Sequence, residues 1–182
     1  MQCPPVQYVV NQNGWLKTAK YIGLDQQRPL YVLERGSIFE RKRLRRLGDS
    51  TIVWKAKGAG LSSGLAFESS LYQEQMALET GSMLGKTSYK FQYNGKRYKW
   101  RSAKHFKSDY QLFCLNPTEH LVAEYTKKGF FKGPARITIY PGPDWSPAFV
   151  EFLLISTIIM ADNLKEDEEW EKAGIEAATG GI

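Results

Sequence analysis

The chain has 182 residues, enough for one domain with a real core, and 42% apolar with 13% aromatic content excludes disorder over most of its length. Its formal charge of +6 is unevenly placed: residues 162–182 carry a net −5, leaving +11 for the rest. A basic body points to an anionic partner (acidic lipid, nucleic acid or acidic protein), or to lysines that only solvate the outside of a sheet.

Val6–Val10 reads as a first strand, ending at Asn11-Gln-Asn-Gly14, and Trp15–Ile22 as a second, bounded by Gly23. Leu30-Tyr-Val-Leu33 is a compact third, stopped by Gly36. Arg41-Lys-Arg-Leu-Arg-Arg46 is either a polyanion-binding or nuclear-targeting run, or the exposed half of a strand entering the Gly48-Asp-Ser50 turn. Thr51–Lys55 then answers it, and Lys57–Gly64 is a Gly/Ser loop. Leu65–Glu79 is ambiguous, with Glu74–Leu78 fitting a helical turn or a strand. Gly81-Ser-Met-Leu-Gly-Lys-Thr87 imitates a phosphate loop, but three residues separate its glycines where four are needed, and a strand follows in place of a helix.

Thr87–Arg101 is the most informative local stretch. Asn94-Gly95 is a two-residue hairpin signal, since both positions tolerate positive φ. That loop places Tyr93 opposite Lys96, Phe91 opposite Tyr98 and Tyr89 opposite Trp100 on an aromatic face. The other face collects Lys90, Arg97, Lys99 and Arg101, joined by Lys86 if the strand starts that early. Between Lys86 and Lys107 there are eight basic residues and no acidic one. Two readings stand: an anion neutralises this face, or its lysines splay into water.

Tyr110–Leu115, Leu121–Tyr125 and Ala135–Tyr140 complete the strands, with turns at Asn116-Pro117 and Pro141-Gly-Pro143. Between the last two, Lys127, Lys128, Phe130, Phe131 and Lys132 form a loop suited either to a membrane interface or to folding back on the core. Ser146 suits an N-cap and Pro147 a first helical position. From Ala148 to Ala161 only Glu151, Ser156 and Thr157 are polar, so this helix is surrounded rather than lying on a surface. It falls short of the roughly 20 apolar residues that cross a bilayer. The enclosed helix is placed at 147–165, and residues 166–182 form an acidic extension, helical and then frayed.

Tyr98-Lys-Trp100, Val122-Ala-Glu-Tyr125, Gly129-Phe-Phe-Lys132 and Ala135-Arg-Ile-Thr-Ile139 precede the helix containing Ile155-Ser-Thr-Ile-Ile-Met160. In that order they resemble the small fungal tubby-like domain families of unknown function, most firmly over residues 80–165. The resemblance implies one closed antiparallel barrel of about twelve strands around a central apolar helix. It places the chain beside tubby proteins, phospholipid scramblases and LURP-one-related proteins. It also implies phosphoinositide binding by basic residues on the barrel surface, as a likeness of class only.

Cys3 and Cys114 are too far apart to suggest a disulfide framework or a zinc site. His105 and His120 have no Ser or Cys at a motif spacing, and Asp109 and Glu119 read as turn residues. Neither a signal peptide nor a lipidation motif is evident, so the expected location is intracellular: cytoplasmic, peripheral to a membrane, or nuclear. The expected function is non-enzymatic, without cofactor or metal. It is binding of anionic phospholipid head groups by Lys86, Lys90, Arg97, Lys99 and Arg101, with Lys127–Lys132 as a membrane-contact loop. A protein-interaction scaffold using the acidic tail is the alternative, and nucleic-acid binding ranks third.

Overall fold

The structure is a computed structural model that describes residues 4–12, 19–24, 27–36, 40–58, 64–83, 86–102, 109–127, 134–142 and 145–179. Twelve strands run in chain order: β1 (Val6–Gln12), β2 (Ala19–Leu24), β3 (Tyr31–Arg35), β4 (Lys42–Arg46), β5 (Ile52–Gly58), β6 (Gly64–Ser69), β7 (Glu74–Met83), β8 (Lys86–Tyr93), β9 (Lys96–Ser102), β10 (Asp109–Cys114), β11 (His120–Thr126) and β12 (Ala135–Ile139). Helix α1 (Pro147–Thr179) follows. Each strand pairs antiparallel with its neighbours, and β1 pairs with β12, so the sheet closes without an edge.

Alternation sorts the side chains. In β10, Tyr110, Leu112 and Cys114 are buried while Gln111 and Phe113 are half-buried; in β6, Leu65, Phe67 and Ser69 are buried. Outward positions carry charge on strand after strand: Glu34, Arg43, Lys55, Glu68, Lys90, Lys99, Glu124 and Arg136. A lipid-embedded barrel has the reverse pattern, apolar outside and polar within. Leu65–Glu79, ambiguous in the sequence, forms β6, a turn at 70–73 and β7. Within β7, Met76 and Leu78 are buried while Gln75, Ala77 and Glu79 are exposed. The Gly/Ser loop is shorter than its composition suggests, because Lys57 and Gly58 belong to β5 and Gly64 to β6; residues 59–63 lie outside the described ones.

Helix α1 fills the barrel. Ser146 caps it, its Oγ accepting from the Phe149 N–H at 3.1 Å, with Pro147 in the first helical position. All ten residues from Glu151 to Met160 are buried, which needs neighbours on every side. Ile155, Ile158 and Ile159 are 0%, 1% and 3% exposed. Phe152 sits among Trp54, Phe67 and Phe91, with ring centroids 5.5, 5.2 and 5.1 Å away. The Trp54 Nε1–H donates to the Ala148 carbonyl at 3.0 Å, tying β5 to the first helical turn. Ser156 and Thr157 donate to the Leu153 carbonyl, so neither hydroxyl is left unpaired in the core.

The helix enters at the end of the barrel where the β2–β3, β4–β5, β6–β7 and β8–β9 turns lie. Lys20, an inward residue at the opposite end, pairs with Asp162 as the helix leaves. At about 1.5 Å per residue the helix is roughly 50 Å long, so its continuation to Thr179 extends well past this pair. No helix among the described residues is long and apolar enough to cross a membrane.

Candidate anion-binding site

The β8–β9 hairpin has the register its turn chemistry requires. Asn94 and Gly95 take φ of 47° and 71°, and Lys90 faces Lys99, Gln92 faces Arg97 and Phe91 faces Tyr98. Phe91 and Tyr98 stack at 4.8 Å, and Phe91 meets Phe152 edge-on, so the helix clamps the inner face. The outer face is thereby fixed on a rigid wall. Lys90, Gln92 and Arg97 are exposed and Lys99 is half-buried. The ion pairs among the described residues leave out Lys90, Arg97 and Lys99. Lys86 opens β8, but its side chain lies outside the described residues, as do Lys128, Phe130, Phe131 and Lys132 of the loop expected to contact a membrane. Lys127 is exposed, and its N–H donates to Asp109 Oδ1 at 3.0 Å.

Neighbouring strands bring in carboxylates that the linear window lacks. Glu79 on β7 stands opposite Lys90. Arg101 is already occupied: its Nη1 and Nη2 donate to Glu119 Oε1 and Oε2 at 2.7 and 2.9 Å, and its guanidinium lies 5.0 Å from the Phe113 ring centroid. Arg101's hydrogen bonds hold the Glu119 carboxyl below its ordinary range. The positive face thus centres on Lys90, Arg97 and Lys99, with a carboxylate on each side.

The other basic run is paired in part within the fold, through Arg43, Arg45 and Arg46. On the outside of β4, Arg43 Nε lies 2.8 Å from Glu34 Oε1 and Arg45 Nη2 lies 3.2 Å from Glu34 Oε2. The hydrogen bond from Arg45 and then its charge, with those of Arg43, keep the Glu34 carboxyl low against the opposing effect of burial. Arg46 points inward, where Nη2 donates to Glu151 Oε1 at 2.9 Å and Nη1 meets Asp49 at 3.2 Å. The exposed-strand reading of this run fits Arg43 and Arg45, whereas Arg46 is half-buried at the barrel mouth and turns in to the buried Glu151.

Glu151 is the residue that sequence reasoning passed over as a polar interruption. It is 2% exposed and accepts from Tyr31 at 3.0 Å, Tyr72 at 2.8 Å and Arg46 at 2.9 Å. Burial first, and then the Glu151 charge, push the Tyr31 phenol well above its ordinary range. The signal for it was a carboxylate inside an apolar helix, which demands a cation; the Arg41–Arg46 run supplied one. The carboxylate is fully engaged in holding the helix to β3, β4 and the β6–β7 turn.

His120 is exposed, with Nδ1 at 2.9 Å from the Thr118 carbonyl, and His105 lies outside the described residues. No group of three or more His, Cys, Asp or Glu among the described residues is arranged to hold a metal ion. Comparison with family models, with curated proteins and with solved structures finds no match to this chain.

Proposed function

We propose that this protein is a non-catalytic binding module of tubby-like type, and that the outer face of β8–β9 takes an anionic phospholipid head group of the phosphoinositide class. One observation carries the reading. Lys90 and Lys99 stand directly opposite each other, with Arg97 one diagonal step away, and none of the three enters an ion pair among the described residues. Like charges across a strand pair disfavour the sheet, and a bound phosphate offsets that repulsion with charge-assisted hydrogen bonds. The exposed Gln92 amide adds a neutral donor. The interior is occupied by α1, so the ligand sits on the wall.

The test is co-sedimentation with phosphatidylcholine vesicles with and without phosphatidylinositol bisphosphate. Wild type binds only the second set. Lys90→Glu/Lys99→Glu reverses two charges and lowers binding by at least about tenfold, given roughly 1 kcal/mol per basic residue near a charged surface. Equal, negligible wild-type binding to both sets, or unchanged binding by the double variant, refutes this site.

A second reading rests on α1 itself, which continues 16 residues past Asn163 through an acidic sequence. Such a helix suits a basic protein partner, and loss of a partner on deleting 166–182 favours it over lipid.

A further inference from the structure

The basic face is bounded by carboxylates, and one of them occupies a basic residue of the site. Glu119 follows the Asn116-Pro117-Thr118 turn between β10 and β11 and reaches back across β10 to Arg101 on β9. The pair is bidentate, at 2.7 and 2.9 Å, the fork geometry a phosphate also uses. It is open to water, with side chains 40% and 49% exposed, so it is weak enough to exchange. Phe113 lies beneath the Arg101 guanidinium and opposite Lys99, so Arg101 stays on the wall beside Lys99 when its counter-ion leaves. On the far side Glu79 stands opposite Lys90.

Resting on the reading above, we propose that Glu119 is the specificity-determining residue of this site: an internal carboxylate that occupies Arg101 and yields it only to a ligand bearing phosphate monoesters. A phosphodiester carries one negative charge and gains little over the carboxylate it must displace. A monoester carries close to two, and its three free oxygens reach Arg101 while a second phosphate faces Lys90 and Lys99. Glu79 and Glu119 together repel a diffusely charged bilayer but leave the β8–β9 face between them open to a compact polyanion. The same chemistry is met in a polyphosphorylated lipid head group and in a free inositol polyphosphate.

The experiment measures binding of wild type, Glu119→Gln, Arg101→Gln and the double variant to three probes: phosphatidylserine vesicles, phosphatidylinositol bisphosphate vesicles of matched total charge, and soluble inositol hexakisphosphate. Wild type is expected to prefer both monoester probes. Glu119→Gln keeps the glutamine's shape, and gains about fivefold on phosphatidylserine, the upper range for an exposed ion pair, with a smaller gain on the monoesters. In the Arg101→Gln background the same change has no selective effect, which separates release of Arg101 from a general change in surface charge. Competition by the soluble probe supports the proposal with a free phosphate as ligand; binding confined to vesicles supports it with a lipid. An unchanged preference in Glu119→Gln overturns the Glu119 role while leaving the binding face intact. Failure of wild type to bind any monoester probe overturns both.

Discussion

Ile158→Asp is expected to leave the chain unfolded at neutral pH, with no cooperative melt by circular dichroism. Ile158 is 1% exposed in a run of ten buried residues, and α1 is surrounded by the barrel. An aspartate there avoids an unpaired buried charge only by staying protonated, which costs about 4 kcal/mol at pH 7. Losing the isoleucine contacts adds about 2–4 kcal/mol. The sum rivals the whole stability of an ordinary domain, about 5–15 kcal/mol. Ile158→Val provides the control: it removes one methyl group, costs about 1 kcal/mol and stays folded. An aspartate variant that melts within a few degrees of wild type means the position faces water, and the enclosed-helix architecture fails.

Arg46→Met is expected to cost about 3 kcal/mol, the low end for breaking a buried ion pair, because Arg46 itself still reaches solvent. The change leaves Glu151 at the helix with two phenols and no cation. At roughly 2–4 °C per kcal/mol for a chain of this size, the thermal midpoint falls by about 6–12 °C. Glu151→Gln in the Arg46→Met background removes the stranded charge and keeps an acceptor for Tyr31 and Tyr72, so it recovers a large part of that loss. Additive effects of the two substitutions show instead that the pair is uncoupled. The outcome matters for function as well as stability, because it assigns Arg46, within the most basic run of the sequence, to architecture rather than to a polyanion.

How far the sequence announced these features depends on how local their physics is. Asn94-Gly95 set the hairpin register unaided, since two residues with positive φ determine which side chains face each other across the turn. Ser146-Pro147 placed the helix start just as locally, through a cap hydrogen bond and a proline suited to the first helical position. Strand β7 was harder: Glu74-Gln-Met-Ala-Leu-Glu is rich in helix formers, and its period-two burial became decisive only once β6 and β8 lay on either side. The partnerships that shape the site were out of reach. Arg46 and Glu151 are 105 positions apart, and Glu119 meets Arg101 across an intervening strand. A charge window reads Lys86–Lys107 as purely basic, whereas the sheet sets Glu79 and Glu119 at its borders. Such pairings are made by barrel closure and by register carried across several strands, which no local pattern encodes.

The central claim is that the helix fills the barrel and leaves the outer face of β8–β9 as the place where a ligand binds. The most direct measurement is an amide chemical-shift titration of the whole chain with a short-chain, water-soluble phosphatidylinositol bisphosphate, which carries both the lipid and the phosphomonoester chemistry. Saturable shifts are predicted at Lys90, Gln92, Arg97 and Lys99, with Ile155, Ile158 and Ile159 unmoved. Shifts centred on those isoleucines or on the inward Trp100, with the wall unchanged, or no saturable shift anywhere, would contradict the account.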